Sequence, residues 1–176
     1  MFLCSMKRMI CFALIPVVFL CACRKPQKFS DIPEIKLLSF SRHQVPNNEK
    51  GAILIFSFQD GEGDIGLNGN DTLPPFDGMS PFYYNFFCDY YEKQKGVFTK
   101  IDSIEILGKM TLFNLNARIP RLTYLPEESI HGEITLTMPQ YYVDTSPYKD
   151  TIKLSFYIVD RKLNRSNTEE VIVVSG

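Results

Sequence analysis

The side chains best suited to binding an ion lie in one glycine-rich stretch of the sequence. Asp60, Glu62 and Asp64 alternate with glycine, which allows tight turns that bring neighbouring carboxylates together. Calcium takes about six to eight oxygen ligands from carboxylates, amides and backbone carbonyls. We therefore predict that this stretch binds calcium, and the predicted ligands are Asp60, Glu62, Asp64, Asn68, Asn70 and Asp71.

Other interpretations of this acidic loop stay open. It is not an EF-hand, because Ile65 stands where that loop requires glycine. The loop could be purely structural, with carboxylates that are solvated or paired with cations; the candidate cations are Lys93, Lys95, Arg118 and Arg121. A hydrolase with Asp60 or Asp64 as acid and base is the remaining interpretation. The clustering of more than two carboxylates favours a cation over that chemistry.

A row of aromatic residues follows the acidic loop. In the predicted strand Phe82–Tyr90 the even positions suit a core, while Tyr83, Phe87 and Tyr91 lie on the other face. Exposed aromatic rings can stack on sugar rings or contact a partner protein. We therefore predict ligand binding by these three residues. The alternative is that both faces of the strand are covered.

No motif in the sequence predicts an enzyme. There is no phosphate-binding glycine loop, no Cys-x-x-Cys pair and no His-Glu-x-x-His sequence. Cys88 falls on the inward face of its predicted strand, where we expect a small core residue. Residues 23–176 contain 17 basic and 20 acidic side chains, a balance that argues against a nucleic-acid partner. We predict a non-catalytic protein.

The N-terminus predicts export. Lys7 and Arg8 precede an apolar run, Ile10–Leu20, which is shorter than the roughly 20 residues needed to cross a bilayer. A charged start and a short apolar core are typical of a signal peptide. The end of the run, Leu20-Cys21-Ala22-Cys23, resembles the lipobox of bacterial lipoproteins. The resemblance implies that residues 1–22 are removed and that Cys23 is acylated, which would hold the protein to a membrane.

Residues 23–33 are predicted to be the lipidated cysteine and a short tether. Arg24, Lys25 and Lys28 make this segment basic. Lipoproteins of the Bacteroidetes type that reach the cell surface often carry acidic residues at this place. We therefore predict that the protein is lipid-anchored in the bacterial outer membrane and faces the periplasm.

The pattern of residues 34–176 is that of β-strands. Apolar residues alternate with polar ones in Ala52–Phe58, Ile130–Met138 and Thr151–Ile158. In Met110–Ile119 the alternation shifts by one position, which predicts a bulge near Leu112 or Phe113. Shorter candidate strands are Ile35–Phe40, Ile101–Leu107 and Val171–Val174. We predict an all-β domain, an antiparallel immunoglobulin-like β-sandwich of seven or eight strands, with a β-barrel as the alternative.

Two resemblances support this prediction. Phe156–Asp160, the turn after it and Val171–Val174 resemble the final strand pair of bacterial immunoglobulin-like domains. The stretch Ile53–Tyr91 resembles uncharacterised lipoproteins of the Bacteroidetes type, which combine an apolar strand, an Asp-Gly-acidic-Gly-Asp-Ile-Gly turn, a Pro-Pro-Phe loop and an aromatic strand. The second resemblance implies no activity.

Taken together, these features predict a non-catalytic lipoprotein of the cell envelope that serves as a binding or structural module. Its partners would be the membrane, through the lipid anchor, and an envelope protein or a glycan. The alternative function is a calcium-dependent carbohydrate-binding module, in which the acidic loop holds the ion and the Tyr83 face holds the sugar.

Overall fold

The computed structural model describes residues 29–44, 50–106, 109–112, 114–122, 128–138 and 151–174. The predicted signal peptide, Cys23 and the tether up to residue 28 lie outside the described residues. Within the described ranges, no helix is long and apolar enough to cross a membrane.

Nine β-strands and no helix are present in the described part of the chain. The strands are β1 (Glu34–Gln44), β2 (Lys50–Asp60), β3 (Phe86–Gln94), β4 (Val97–Lys100), β5 (Ser103–Ile106), β6 (Lys109–Leu112), β7 (Ile130–Met138), β8 (Thr151–Ile158) and β9 (Glu169–Val174). The prediction of an all-β domain is confirmed.

Seven of these strands form two antiparallel sheets. One sheet has the order β1-β2-β7 and the other has the order β4-β3-β8-β9, while β5 and β6 form a separate hairpin. This distribution matches the immunoglobulin arrangement, in which the last two strands pair with the third strand and not with the first two. The described strands do not close into a barrel, so the alternative architecture is excluded for this part of the chain.

Alternating side chains from both sheets fill the core. On β2 and β8 every second residue is buried; these residues are Ala52, Leu54, Phe56, Phe58, Ile152, Leu154, Phe156 and Ile158. At the centre, the Phe56 ring of the first sheet lies 5.8 Å from the Phe86 ring and 5.5 Å from the Phe156 ring, both of the second sheet. Cys88 is buried on the same inward face, as predicted, and burial raises the pKa of its thiol to about 12.

The structure corrects several predicted strand limits. The aromatic strand begins at Phe86 and not at Phe82, because residues 80–83 form a turn in which the Tyr83 N–H donates to the Ser80 carbonyl at 3.1 Å. Strand β4 was not predicted. The strand predicted over Met110–Ile119 ends at Leu112, and Phe113, where the bulge was expected, lies outside the described residues.

Two asparagine side chains connect neighbouring backbone segments. The Asn85 amide accepts a hydrogen bond from Ile119 N at 2.6 Å and donates one to Ile119 O at 3.1 Å. Likewise, the Asn167 amide accepts a hydrogen bond from Ile35 N at 2.8 Å and donates one to Ile35 O at 2.9 Å. Each amide therefore takes the place of a neighbouring peptide group, with both of its polar atoms paired.

The sandwich has two different ends. The proximal end is where β1, β3, β7 and β9 begin and where β2 and β8 finish. The chain enters the domain at this end, since the Gly61 N–H donates to the Ser30 carbonyl at 2.7 Å. The distal end carries the turn between β3 and β4 and the end of β9.

Candidate metal centre

Asp60 is the last residue of β2 and has no solvent exposure. It follows the buried residue Phe58 by two positions, so the alternation of the strand turns its side chain inward. Its Oδ2 accepts a hydrogen bond from the Asp64 backbone N–H at 3.0 Å. This bond closes the turn that follows the strand and holds Asp64 beside Asp60.

Glycine is required in this turn. Gly63 has a φ of 67° and Gly66 a φ of 99°, values in the left-handed region that residues with a Cβ rarely adopt. A Cβ at Gly66 would also overlap the Pro120 carbonyl oxygen, and one at Gly63 would overlap the Glu128 carbonyl oxygen. The glycines that the sequence places between the acidic residues therefore let the turn pack against neighbouring backbone.

Asp160 brings a third carboxylate to the same place from the other sheet. It lies two residues after the end of β8 and is almost fully buried. Its Oδ1 accepts from the Asn164 N–H at 2.8 Å, and its Oδ2 accepts from the Asn164 amide at 2.9 Å. One carboxylate oxygen from each of Asp60, Asp64 and Asp160 lies within 4.8 Å of the other two.

Several oxygens of this cluster have no hydrogen-bond partner among the described residues. They are Asp60 Oδ1, Glu62 Oε2 and Asp64 Oδ1, and all three atoms are buried. Buried polar atoms are nearly always paired, because an unpaired buried acceptor loses its contact with water and gains nothing in return. A positive charge would therefore stabilise the unpaired oxygens of Asp60 and Asp64, which lie close to Asp160.

The pKa values of these carboxyl groups show that burying their negative charges is unfavourable. Burial, assisted by the charges of Asp160 and Asp60, raises the pKa of Asp64 to about 6. Burial likewise raises the pKa of Asp60 and of Asp160, and the charge of Glu62 raises both further. A bound cation would offset the desolvation and the mutual repulsion of these groups together.

One ammonium group lies close to the cluster. Lys162 pairs with Glu62 Oε1, and that hydrogen bond raises the pKa of the lysine. The neighbouring Arg161 pairs instead with Asp71, at 2.5 Å and 3.2 Å. Lys162 is exposed and bonds the other oxygen of Glu62; its charge lowers the pKa of Asp64, but the unpaired oxygens of the cluster have no hydrogen bond to it.

The remaining predicted ligands belong to a neighbouring network. Asp71 accepts from the Asn68 N–H at 2.6 Å, and its hydrogen bonds with Arg161 lower the pKa of its carboxyl. Arg118 donates to the carbonyls of Asn68 at 2.9 Å and Asp71 at 2.7 Å, while Asn70 is exposed. The structure thus brings Asp60 and Asp64 together with Asp160, leaves Glu62 nearby but paired with Lys162, and places Asn68, Asn70 and Asp71 in the neighbouring network.

The chemistry of the cluster fits a hard cation. All of its donors are oxygens, and a calcium ion with ligands at about 2.4 Å holds any two of them no more than about 4.8 Å apart. The pairing with Lys93 or Lys95 that the sequence left open does not occur, since both lysines lie at the distal end. Because Asp60 is fully buried, a substrate cannot reach it, and a cation fits better than general acid–base chemistry.

Asp160 belongs to the carboxylate cluster but was not among the ligands predicted from the sequence. The sequence contained an indication of this position, because Asp160 lies two residues after the buried strand Thr151–Ile158 and precedes an Asn-containing turn. Asp160 lies near Asp60 because β2 and β8 end at the same end of the sandwich. The strand topology sets this proximity, and local residue spacing does not reveal it.

The predicted aromatic ligand residues occupy two different places. Phe87 and Tyr91 lie on the outer face of the four-stranded sheet, where Phe87 stacks on Tyr157 with ring centroids 5.0 Å apart. Lys153 Nζ lies 4.7 Å from the centre of the Tyr91 ring. Tyr83 lies in the loop before β3 and is covered on one side by the Arg118 guanidinium, 5.1 Å from the ring centre.

Comparison with known proteins adds no family to these observations. No protein-family model matches the sequence, and neither the curated proteins nor the solved structures gave a significant match to it.

Proposed function

We propose that this protein is a non-catalytic module of the bacterial cell envelope, anchored through an acylated Cys23, whose β-sandwich binds a calcium ion at its proximal end. The observation that carries the calcium site is the fully buried Asp60 Oδ1, which has no partner among the described residues and lies beside the Asp64 and Asp160 carboxylates. A buried unpaired carboxylate oxygen next to two more carboxylates is stable only with a cation or a proton.

The ion would be structural. Asp60 belongs to the three-stranded sheet, and Asp160 directly follows a strand of the four-stranded sheet. A cation shared by the two residues therefore cross-links the sheets and fixes the turn after β2. Backbone carbonyls and water would complete the coordination of a calcium ion, and the charge of the nearby Glu62 would add to the attraction.

Calorimetric titration of the full-length protein with calcium chloride, after removal of divalent ions by a chelator, tests this function. We expect binding of one ion per chain and a melting temperature that rises with calcium concentration. At 100 times the dissociation constant, the added stability should be about 2.7 kcal/mol. Magnesium should bind more weakly, because it demands near-octahedral geometry.

The Asp160→Asn variant identifies the site, because it keeps an oxygen that can accept from Asn164 and removes the charge. It should weaken calcium binding at least about tenfold. Asp89→Asn is the matched control, since Asp89 is paired with Lys100 on the outer sheet face and should leave the affinity unchanged. Absence of both heat and a melting shift in the unaltered protein would exclude the calcium site.

A second candidate function is carbohydrate binding, favoured by the row of Phe87, Tyr157 and Tyr91 on the outer sheet face. A sugar ring that stacked on this row would have to displace cations, since Arg165 lies 3.7 Å from the centre of the Tyr157 ring and Lys153 covers Tyr91. Titration with envelope polysaccharides, with and without calcium, tests it. Binding that is lost in Tyr157→Ala would support the second candidate.

A further inference from the structure

The chain enters the sandwich beside the acidic cluster. Ser30 accepts a hydrogen bond from Gly61, the residue directly after Asp60. Cys23 precedes Phe29 by six residues, which span at most about 20 Å when fully extended. An acyl anchor on Cys23 therefore keeps the proximal end within about that distance of the bilayer.

The proximal end also exposes an unusually apolar loop. Residues 72–81, here called the proline loop, contain a single charged residue, Asp77. Met79 is 98% exposed and Leu73 is 76% exposed, and the prolines of the loop are exposed as well. Water-exposed apolar side chains that are this concentrated commonly mark a contact surface.

Contacts with the body of the domain place the proline loop at this end and hold its shape. The Phe76 ring lies under the Arg161 guanidinium, 5.4 Å from the ring centre, in the turn that follows β8. Arg118 donates to the carbonyls of Asp71 at 2.7 Å and Tyr83 at 2.8 Å, on either side of the loop. The exposure of Leu73 and Met79 is therefore enforced by the structure around them.

We propose that the proline loop rests on the bilayer surface, with Leu73 and Met79 inserted among the lipid headgroups. The proposal rests on the anchoring of Cys23 in the proposed function. The short connection keeps this end of the molecule close to the bilayer, which makes the membrane the surface nearest to the proline loop. Neutralisation of the acidic cluster by calcium favours the same contact, because an anionic end is repelled by anionic lipids.

Site-directed fluorescence with the lipidated full-length protein tests the proposal. The protein is inserted into vesicles of phosphatidylethanolamine and phosphatidylglycerol that carry a nitroxide quencher near the headgroups. A polarity-sensitive fluorophore is attached to Met79→Cys, or to the control Val97→Cys, which is 67% exposed at the distal end. Cys88 is buried and Cys23 is acylated, so the introduced thiol is the one that reacts.

We expect quenching at position 79 to be several-fold stronger than at position 97, together with a blue shift at position 79 only. Leu73→Cys should behave as Met79→Cys does. Equal quenching at the two ends, with Cys23 shown to be acylated by intact mass, would overturn the membrane contact and leave the anchor standing. An unacylated Cys23 would overturn both, while calcium binding is measured separately by titration.

Discussion

At the scale of single residues, the carboxylates of the cluster would couple the proposed ion binding to proton release. The pKa of Asp64 is about 6 in the folded chain, against 3.8 for an ordinary aspartate. Between these values, the folded protein holds a proton that the unfolded chain has released. Without calcium, the free energy of unfolding should therefore fall as the pH rises from about 4 to about 6. The raised pKa values of Asp60 and Asp160 act in the same direction.

Calcium must displace the proton that Asp64 holds, so its affinity should depend on pH. Below pH 6 we expect the affinity to fall by about tenfold per pH unit for each displaced proton, and to change little above pH 7. Titrations at pH 5.5 in two buffers with different ionisation enthalpies should show proton release. An affinity that is flat between pH 5 and pH 7 would contradict this coupling.

The pKa of Asp71 shifts in the opposite direction to that of Asp64, because the hydrogen bonds with Arg161 lower it. Stability from that pair is present above the pKa of an unfolded aspartate and is lost as the pH falls below it. Asp71→Asn should therefore lower the free energy of unfolding near neutral pH, by an amount that shrinks as the pH falls below about 4, and leave the dependence of calcium affinity on pH in place. The two neighbouring networks can be separated experimentally for this reason.

At the scale of the elements, the side-chain amides of Asn85 and Asn167 allow a matched comparison. Asn85 is buried and Asn167 is exposed, yet each pairs with both backbone groups of one isoleucine. Asn85→Ala should cost about 2–3 kcal/mol, because Ile119 N and O would be left unpaired in the core. Asn167→Ala should cost about 1 kcal/mol, since water can replace the amide there. Urea denaturation measures both, and equal losses would argue against burial as the cause.

Arg118 is the residue that orders the loop between β2 and β3. It donates to the carbonyls of Asn68, Asp71 and Tyr83 at 2.7–2.9 Å and to Phe76 at 3.4 Å. Arg118→Met should release residues 67–85, so that thermolysin cuts near Leu73 and Phe76 much faster than in the unaltered protein. Arg165→Met is the control, because Arg165 covers Tyr157 on the outer sheet face. If thermolysin cleaved the two variants at the same rate, Arg118 would not be the residue that orders this loop.

The loop that Arg118 orders also shows where local sequence patterns fail to predict the structure. Thr151–Ile158 and Ile130–Met138 were predicted with the observed limits, because their alternation reports directly on a half-buried sheet position. The aromatic run Phe82–Tyr90 has the same alternation, but Tyr83 and Tyr84 lie in a loop that Arg118 fixes from 35 residues away. A tertiary contact thus overrides the local pattern, and the sequence alone does not reveal it.

At the scale of the whole molecule, stability depends on contact between the sheets. Phe56 lies against Phe86 and Phe156 with no exposed surface, so Phe56→Ala should cost about 3–5 kcal/mol through lost burial and a cavity. Phe98→Ala, on the outer face beside Lys153, should cost much less. Chemical denaturation with a common slope for both variants checks the prediction. If the two variants lost similar amounts of stability, the stabilising contacts would lie outside the inner faces of the two sheets.

The candidate metal centre was half predictable for the same topological reason. The turn of Asp60, Glu62 and Asp64 is local, and glycines between acidic residues are visible in the sequence. Asp160 is remote in sequence and reaches the cluster because β8 lies in the sheet opposite β2. Carboxylates at the ends of facing strands are therefore worth considering together in any sandwich predicted from its sequence.

The buried thiol of Cys88 has a consequence for the behaviour of the protein over time. Disulfide exchange requires the thiolate, and a pKa of about 12 keeps that form scarce at neutral pH. Cys88 of a folded chain can then remain in oxidising surroundings without forming a disulfide to a neighbouring molecule. Dimers cross-linked through Cys88 would form from molecules that have already unfolded, so their abundance would report earlier unfolding.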